Sequence, residues 1–275
     1  MSNPRISLAL SWEKYEHAVQ GVFFEALQRL AAMPKLAKAE IPLNLEVLWI
    51  AHRVHQEQFL AGRCMFDFTI HTDSTNPPEP DDSALSARLR KRPDFICAIK
   101  DMQARDFRRS QVTYGIECKR LGKMEDGLEF NDLYSKKGIS RFLTDEHQYA
   151  KGCPSASMIG YLQDMDPDTV FDEVVKFSAT RSIPSLVKAA MGWANKSVTL
   201  LSQPPLDRTF APGDPIRLHH YWVDLRHCKF TVPSASPPQS AADPSAGAPA
   251  KKSKKKPSKT VVQKPAAKKS GDRTR

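Results

Sequence analysis

Arg92-Pro93-Asp94-Phe95 and Tyr114-Gly115-Ile116-Glu117-Cys118-Lys119 are the two stretches on which the reading of this chain turns. Phe95 to Ile99 and Val112 to Lys119 each read as an apolar strand. The segment from Asp101 to Ser110 between them has the size of an extended hairpin loop. Side chains alternate faces along a strand. Val112, Tyr114, Ile116 and Cys118 therefore share one face, and Thr113, Gly115, Glu117 and Lys119 share the other. Glu117 stands 23 residues after Asp94, which leaves room for an outward strand, a loop and a return strand. A hairpin of that kind brings Asp94 beside Glu117.

Two adjacent carboxylates repel unless something neutralises them. A divalent cation does so, and hard oxygen ligands favour Mg²⁺ or Mn²⁺. Such a cation polarises a phosphodiester and acidifies bound water. A lysine two residues on, Lys119, stabilises developing negative charge or positions the attacking water. The plainer alternative is a solvated strand end carrying a Glu117–Lys119 ion pair, which contributes little to stability. On either reading Lys119 is expected at an exposed strand end, so that Lys119→Ala leaves folding intact while abolishing any cleavage.

With Pro93-Asp94 as its first half and Glu117-Cys118-Lys119 as its second, the pattern resembles the PD-(D/E)xK nuclease superfamily, the restriction-endonuclease-like fold. Downstream, Gly138-Ile139-Ser140-Arg141-Phe142, Tyr149 and Met158-Ile159-Gly160-Tyr161 look like the helix and strand of uncharacterised bacterial branches of that superfamily. The likeness is close over residues 40–165 and loose over 1–225. It implies catalytic roles for Asp94, Glu117 and Lys119. It also implies Mg²⁺ or Mn²⁺ held by Asp94, Glu117 and the backbone carbonyl of Cys118. The family often adds an acid from the preceding helix. Glu46, Glu40 and Glu57 are candidates that the sequence does not separate, with Glu46 named first as the additional acid. Gln148 and Tyr149 are candidates for an auxiliary group, although packing explains Tyr149 equally well.

Outward from this hairpin, the fold class is α/β: a mixed central sheet flanked by helices. A first helix is expected from an N-cap at Ser11, with Trp12, Tyr15, Val19, Val22, Phe23, Ala26, Leu27 and Leu30 at helical spacing and Pro34 beyond its end. A second is expected over 42–61, turning Leu45, Leu48, Trp49, His52 and Phe59 inward and ending at Gly62. A strand fits Cys64 to His71, followed by a polar surface insert over 72–89. Beyond Lys119 the pattern predicts a helix over 132–150 and a strand over 157–162. A further helix runs from Asp166-Pro167 to Trp193 with an interruption at Ile183-Pro184, and strands follow at 197–201 and 216–225. The nuclease-like domain is thus expected over 1–231, with a helical part over 1–62 and the catalytic core over about 40–165.

The formal charge is +10, yet residues 233–275 hold nine Lys and two Arg against two Asp, a net +9. The rest of the chain is nearly neutral. Residues 232–275 are rich in Pro, Ala, Ser and Lys, too poor in large apolar groups to offset ordering entropy, and are expected to be disordered. The tail reads either as a phosphate-attracting polycation or as a solubilising extension. Nucleic-acid contacts are expected from Arg105, Arg108 and Arg109 in the loop and from Lys251, Lys252, Lys254, Lys255 and Lys256 in the tail.

Other classes are set aside. The five cysteines are scattered without a C-x-x-C pair, which argues against a disulfide framework or a structural zinc site. His52 with His55, His219-His220 and His227-Cys228 fit no common zinc scheme. Neither an ATP-binding P-loop nor a dinucleotide fingerprint is present. No apolar run of membrane-spanning length and no signal-peptide pattern is found, so the expected compartment is the cytoplasm and no membrane partner is expected.

Three functions remain. The first is a DNA endonuclease, in bacterial defence against foreign DNA or in DNA processing, where the family's habits leave open a homodimer or a protein partner in a defence complex. The second is a catalytically silent relative that binds nucleic acid or a partner. The third is a DNA-compacting scaffold working through its tail.

Deleting residues 233–275 removes most of the formal charge and almost no apolar surface. Thermal stability should hardly change, while the slope of log affinity for nucleic acid against log salt should flatten. Unchanged salt dependence would show that the tail does not touch nucleic acid, and loss of folding would show that it is structural.

Overall fold

A computed structural model describes residues 4–72, 92–100 and 110–231, with side chains from Trp12 onward. The compact unit runs from Met1 to Pro233. The insert expected over 72–89, beyond Thr72, the loop with Arg105, Arg108 and Arg109, and the tail with Lys251, Lys252, Lys254, Lys255 and Lys256 lie outside the described residues.

The first helix, α1, spans Pro4–Ala31. It begins about two turns before the expected cap at Ser11, with a proline at its first position, where the missing N–H costs nothing. Val19, Val22, Ala26, Leu27 and Leu30 are fully buried along one stripe.

Helix α2 spans Glu40–Leu60, and its inward face corrects the sequence reading. Leu43, Asn44, Val47, Ala51, Val54 and His55 are buried, whereas Leu45, Trp49 and Phe59 are exposed. The helix carries two apolar stripes of the same period, and periodicity alone cannot say which one meets α1. Gly62, at φ +67°, follows its last turn as expected.

The main sheet has the order β2-β3-β4-β5-β8-β6, with β7 also paired to β8. Its strands are β2 (Thr69–His71), β3 (Phe95–Lys100), β4 (Gln111–Leu121), β5 (Ser155–Leu162), β6 (Val198–Leu201), β7 (Leu206–Arg208) and β8 (Ala211–Asp224). β2, β3 and β4 form an antiparallel meander, while β4, β5 and β8 run parallel. A separate parallel pair joins β1 (Lys35–Ala37) to β9 (Lys229–Thr231). The mixed sheet flanked by helices is the expected fold class.

Several boundaries differ for identifiable reasons. The strand expected over 64–71 keeps only Thr69–His71, and the Phe66 carbonyl is instead bonded to His55 Nε2 at 2.9 Å. The helix expected over 132–150 breaks into α3 (Phe130–Lys136) and a 3-10 turn at Ile139–Phe142. At Gly138, between them, an added Cβ would lie 2.3 Å from the Tyr134 carbonyl oxygen, so only glycine permits this turn. Beyond it Gln148 and Ala150 have positive φ, which no helix tolerates. Helix α4 (Pro167–Ala179) is capped by Asp166 as its sequence suggests. It ends well before Trp193, and a left-handed Ser182 three residues beyond Ala179 keeps the chain from resuming it. Strands β1, β7 and β9, three residues each, are too short to leave a periodic trace.

The core has two parts, one on each side of the sheet. Helices α1 and α2 cover Tyr114, Ile116 and Cys118 of β4. On the other side, Tyr134, Phe142, Met158, Val170 and Trp222 pack together. The face assignment read from the β4 alternation therefore holds.

Candidate active site

The β3–β4 hairpin sets the geometry. Phe95 pairs with Ile116, so Asp94, one residue earlier, stands across from Glu117. Glu117 and Lys119 sit inside the fold, not at a solvated strand end: Glu117 is 0% exposed and Lys119 is 7% exposed. This corrects the expectation for Lys119. Its neighbour across the parallel β4–β5 pairing is Gly160, where an added Cβ would meet Leu121 and Trp222 side chains at 2.4 and 2.8 Å.

Lys119 Nζ is the centre of the cluster. It lies 2.8 Å from Glu117 Oε1, 2.9 Å from Glu40 Oε1 and 3.8 Å from Asp94 Oδ2. It also donates to the backbone carbonyl of Cys118. The three groups expected to hold a metal, Asp94, Glu117 and the Cys118 carbonyl, thus converge on one ammonium nitrogen. Glu40, in the first turn of α2, is the additional acid that reaches it. Glu46, the first choice from the sequence, lies on the exposed side of the same helix.

Two groups hold Asp94. Asn44 Nδ2 donates to Oδ1 at 3.0 Å, and the Cys118 N–H donates to Oδ2 at 2.7 Å. Asn44 is itself fixed by the Tyr161 hydroxyl, which donates to Asn44 Oδ1 at 2.8 Å. Arg141, on the 3-10 turn, bonds Glu117 Oε1 and lies 5.9 Å over the Tyr149 ring. Tyr149 in turn donates its hydroxyl to the Arg92 carbonyl beside Pro93. Gln148 is buried at a positive φ, and its Oε1 has no hydrogen-bond partner among the described residues; no bond joins it to the cluster.

Asn44 and Arg141 are the functional residues that sequence reasoning missed. Asn44 left a signal, a polar residue in the otherwise apolar stripe Leu43, Val47, Ala51 and Val54, one turn after Glu40. Arg141 stood within the segment that carried the family likeness, but nothing there gave it a role.

Charge and burial explain the ionisation of the site. Burial pushes Glu117 up to about 8, with the neighbouring Asp94 adding to the shift and Lys119 and Arg141 opposing it. Burial likewise raises Asp94, against the pull of Lys119. For Lys119 burial alone would favour the neutral amine, but Glu117, Asp94 and Glu40 together outweigh it and hold the ammonium firmly charged. Removing Lys119 leaves these carboxylates without their main counter-charge, a loss of about 3–5 kcal/mol for a buried pair. Lys119→Ala is therefore destabilising, contrary to the expectation from sequence.

The donor set suits a divalent cation in its chemistry. Every group offered is a hard oxygen, as Mg²⁺ and Mn²⁺ require. Glu117 Oε2 is fully buried and has no hydrogen-bond partner among the described residues, a costly arrangement for a carboxylate oxygen unless a ligand completes it. Among the described residues no three His, Cys, Asp or Glu side chains form a ready metal cage. The fit rests on two carboxylates with one backbone carbonyl. The histidines set aside above have other partners: His220 bonds Tyr134 and Gln203, and His227 bonds the Ala31 carbonyl.

Among the described residues no helix is long and apolar enough to cross a membrane. Comparison of the chain with protein-family models, curated proteins and solved structures gives no match.

The raised Glu117 fixes a pH dependence. A carboxyl whose pKa is higher in the folded state stabilises the fold fully below its ordinary value of 4.5, and this contribution is lost as pH rises through about 8. The stability of the wild type relative to Glu117→Gln should therefore fall between about pH 5 and about pH 8.5 in urea unfolding. A pH-independent difference would show that Glu117 ionises normally in the fold.

Proposed function

We propose that this protein is a metal-dependent nuclease that hydrolyses DNA phosphodiester bonds, with a site of the PD-(D/E)xK kind on a restriction-endonuclease-like core. The observation that carries this reading is the convergence of Asp94, Glu117 and the Cys118 carbonyl, together with Lys119, at a hairpin beside the orphaned Glu117 Oε2. The Asp94–Glu117–Lys119 pattern stands in the sequence without any geometry, and the cluster matches it residue for residue.

Asp94, Glu117 and the Cys118 carbonyl would hold Mg²⁺ or Mn²⁺. When bound, the cation supplies Lewis-acid polarisation of a phosphodiester oxygen and a more acidic coordinated water. Lys119 carries the positive charge that stabilises the negative charge developing on the scissile phosphate. Asn44 and the Cys118 N–H fix the orientation of Asp94, and Arg141 fixes Glu117. Pre-organised groups of this kind need no rearrangement as charge develops. A role in defence against foreign DNA or in DNA processing rests on the family likeness alone, and so does any partner in a defence complex.

One observation favours a second reading, that of a catalytically silent relative that binds nucleic acid or a partner. The Lys119 ammonium already occupies the centre of the oxygen cluster and satisfies much of its charge.

Incubation of plasmid and linear DNA with Mg²⁺, Mn²⁺ or EDTA separates the two. The nuclease reading expects cleavage with either metal, none in EDTA, and a loss of about 10²-fold or more in Asp94→Ala. Cleavage unchanged in Asp94→Ala would remove this site from the reaction. A folded wild type inactive with both metals would favour the silent reading.

A further inference from the structure

A second feature lies on the same edge of the sheet as the acidic cluster. Strands β4, β5 and β8 are parallel and end in register, with Leu121 paired to Leu162 and Leu162 to Asp224. Their carboxyl ends therefore form one edge, the position where open α/β sheets bind ligands. Lys119 stands two residues before the end of β4. At the end of β8, Asp224 Oδ2 accepts from the Lys196 N–H. Lys196 belongs to a concavity of about 520 Å³ that is also lined by Lys35, His227 and Lys229.

The charge in this concavity is unbalanced. Lys35 and Lys229 are direct cross-strand partners in the β1–β9 pair, where like charges destabilise. Lys35, Lys196 and Lys229 are exposed, and none has an ion-pair partner among the described residues. Asp224, which accepts from the Lys196 N–H, is already engaged by Arg226 through both carboxylate oxygens. His227 Nε2 is occupied by the Ala31 carbonyl. Three lysines thus line a hollow, and no described carboxylate is ion-paired with any of them.

We propose that this concavity is an anchor for the phosphodiester backbone of a nucleic acid, separate from the acidic cluster and serving the same strand. Lys35 is five residues from Glu40, whose carboxylate touches Lys119, so chain length limits the separation of the two backbones to about 18 Å. That is on the order of five base pairs of duplex at about 3.4 Å per step. A backbone held by the lysines is within reach of the acidic cluster. Contacts of this kind position a strand without reading its sequence. Lysine suits the task as a compact point charge. This assignment deepens the nuclease reading, but the binding it describes needs no catalysis.

The test uses the full chain with Lys35, Lys196 and Lys229 changed together to Gln, and a fluorescent duplex oligonucleotide in EDTA, where no metal-dependent cleavage occurs. The side chains are exposed, so their loss leaves no cavity, and the melting temperature checks the fold. The triple variant should bind at least about tenfold more weakly at low salt. Its slope of log affinity against log salt should shrink by about 0.9 for each phosphate that the protein no longer neutralises. Wild-type affinity and slope in a folded triple variant would overturn the anchor. If the variant instead lost binding to vesicles of anionic lipid while keeping its DNA affinity, the hollow would serve a membrane surface and the proposal would fail. Cleavage with Mg²⁺ by the wild type is scored separately. Its absence together with weakened binding in the variant would overturn the nuclease reading and leave the anchor standing.

Discussion

The ammonium of Lys119 is the charge on which the site depends. It sits among carboxylates from three separate places in the chain: Glu40 at the start of α2, Asp94 before β3 and Glu117 within β4. Without it, acidic groups in a largely buried position would repel one another at close range. With it, α2 is tied to the hairpin through a charge as well as through apolar packing. Arg141 adds a second cation on Glu117. Three carboxylates against two cations still leave one negative charge in excess. A proton on Glu117, which burial favours up to about pH 8, relieves it in the free protein. A divalent cation would relieve it in another way, by taking the place of that proton.

The rest of the architecture holds this arrangement in position. The hairpin register fixes Asp94 opposite Glu117, and the hydrogen bonds from Asn44 and the Cys118 N–H fix the direction of its carboxylate. Gly138 lets the chain turn tightly enough after α3 for Arg141 to reach Glu117. The apolar face of β4, with Tyr114, Ile116 and Cys118 packed under α1 and α2, locks the strand so that its polar face cannot rotate away. A one-residue slip of β4 would turn Glu117 and Lys119 into the apolar layer under α1 and α2. The apolar core thus specifies where the charges stand.

The central part of this arrangement was legible in the sequence. Strand alternation and the interval from Asp94 to Glu117 are local properties, and they placed the acids together and Lys119 on the same face. What failed was what depends on neighbours in space. Lys119 is buried among Glu40 of α2, Asp94 and Glu117, and no local pattern records that meeting. The inward face of α2 was misread because Leu45 and Trp49 are as regularly spaced as Leu43 and Val47. The choice of Glu40 over Glu46 follows from the same fact, since the two glutamates point to different sides of one helix. The long helix expected over 132–150 was lost to backbone geometry at Gly138, Gln148 and Ala150, where the side chains advertise helix and the dihedral angles forbid it. The lysine hollow was invisible because Lys35, Lys196 and Lys229 are far apart in sequence and meet only through the β1–β9 pairing and the loop before β6.

On the nuclease reading the acidic cluster is a cation site held ready by Lys119 and a proton. Calorimetric titration of the full chain with Mn²⁺, without nucleic acid, at about pH 7 in buffers of different ionisation enthalpy, tests it most directly. One Mn²⁺ should bind per chain with release of a proton, and folded Asp94→Ala should lose that binding. Failure of the wild type to bind Mn²⁺, or binding that Asp94→Ala leaves unchanged, would contradict it.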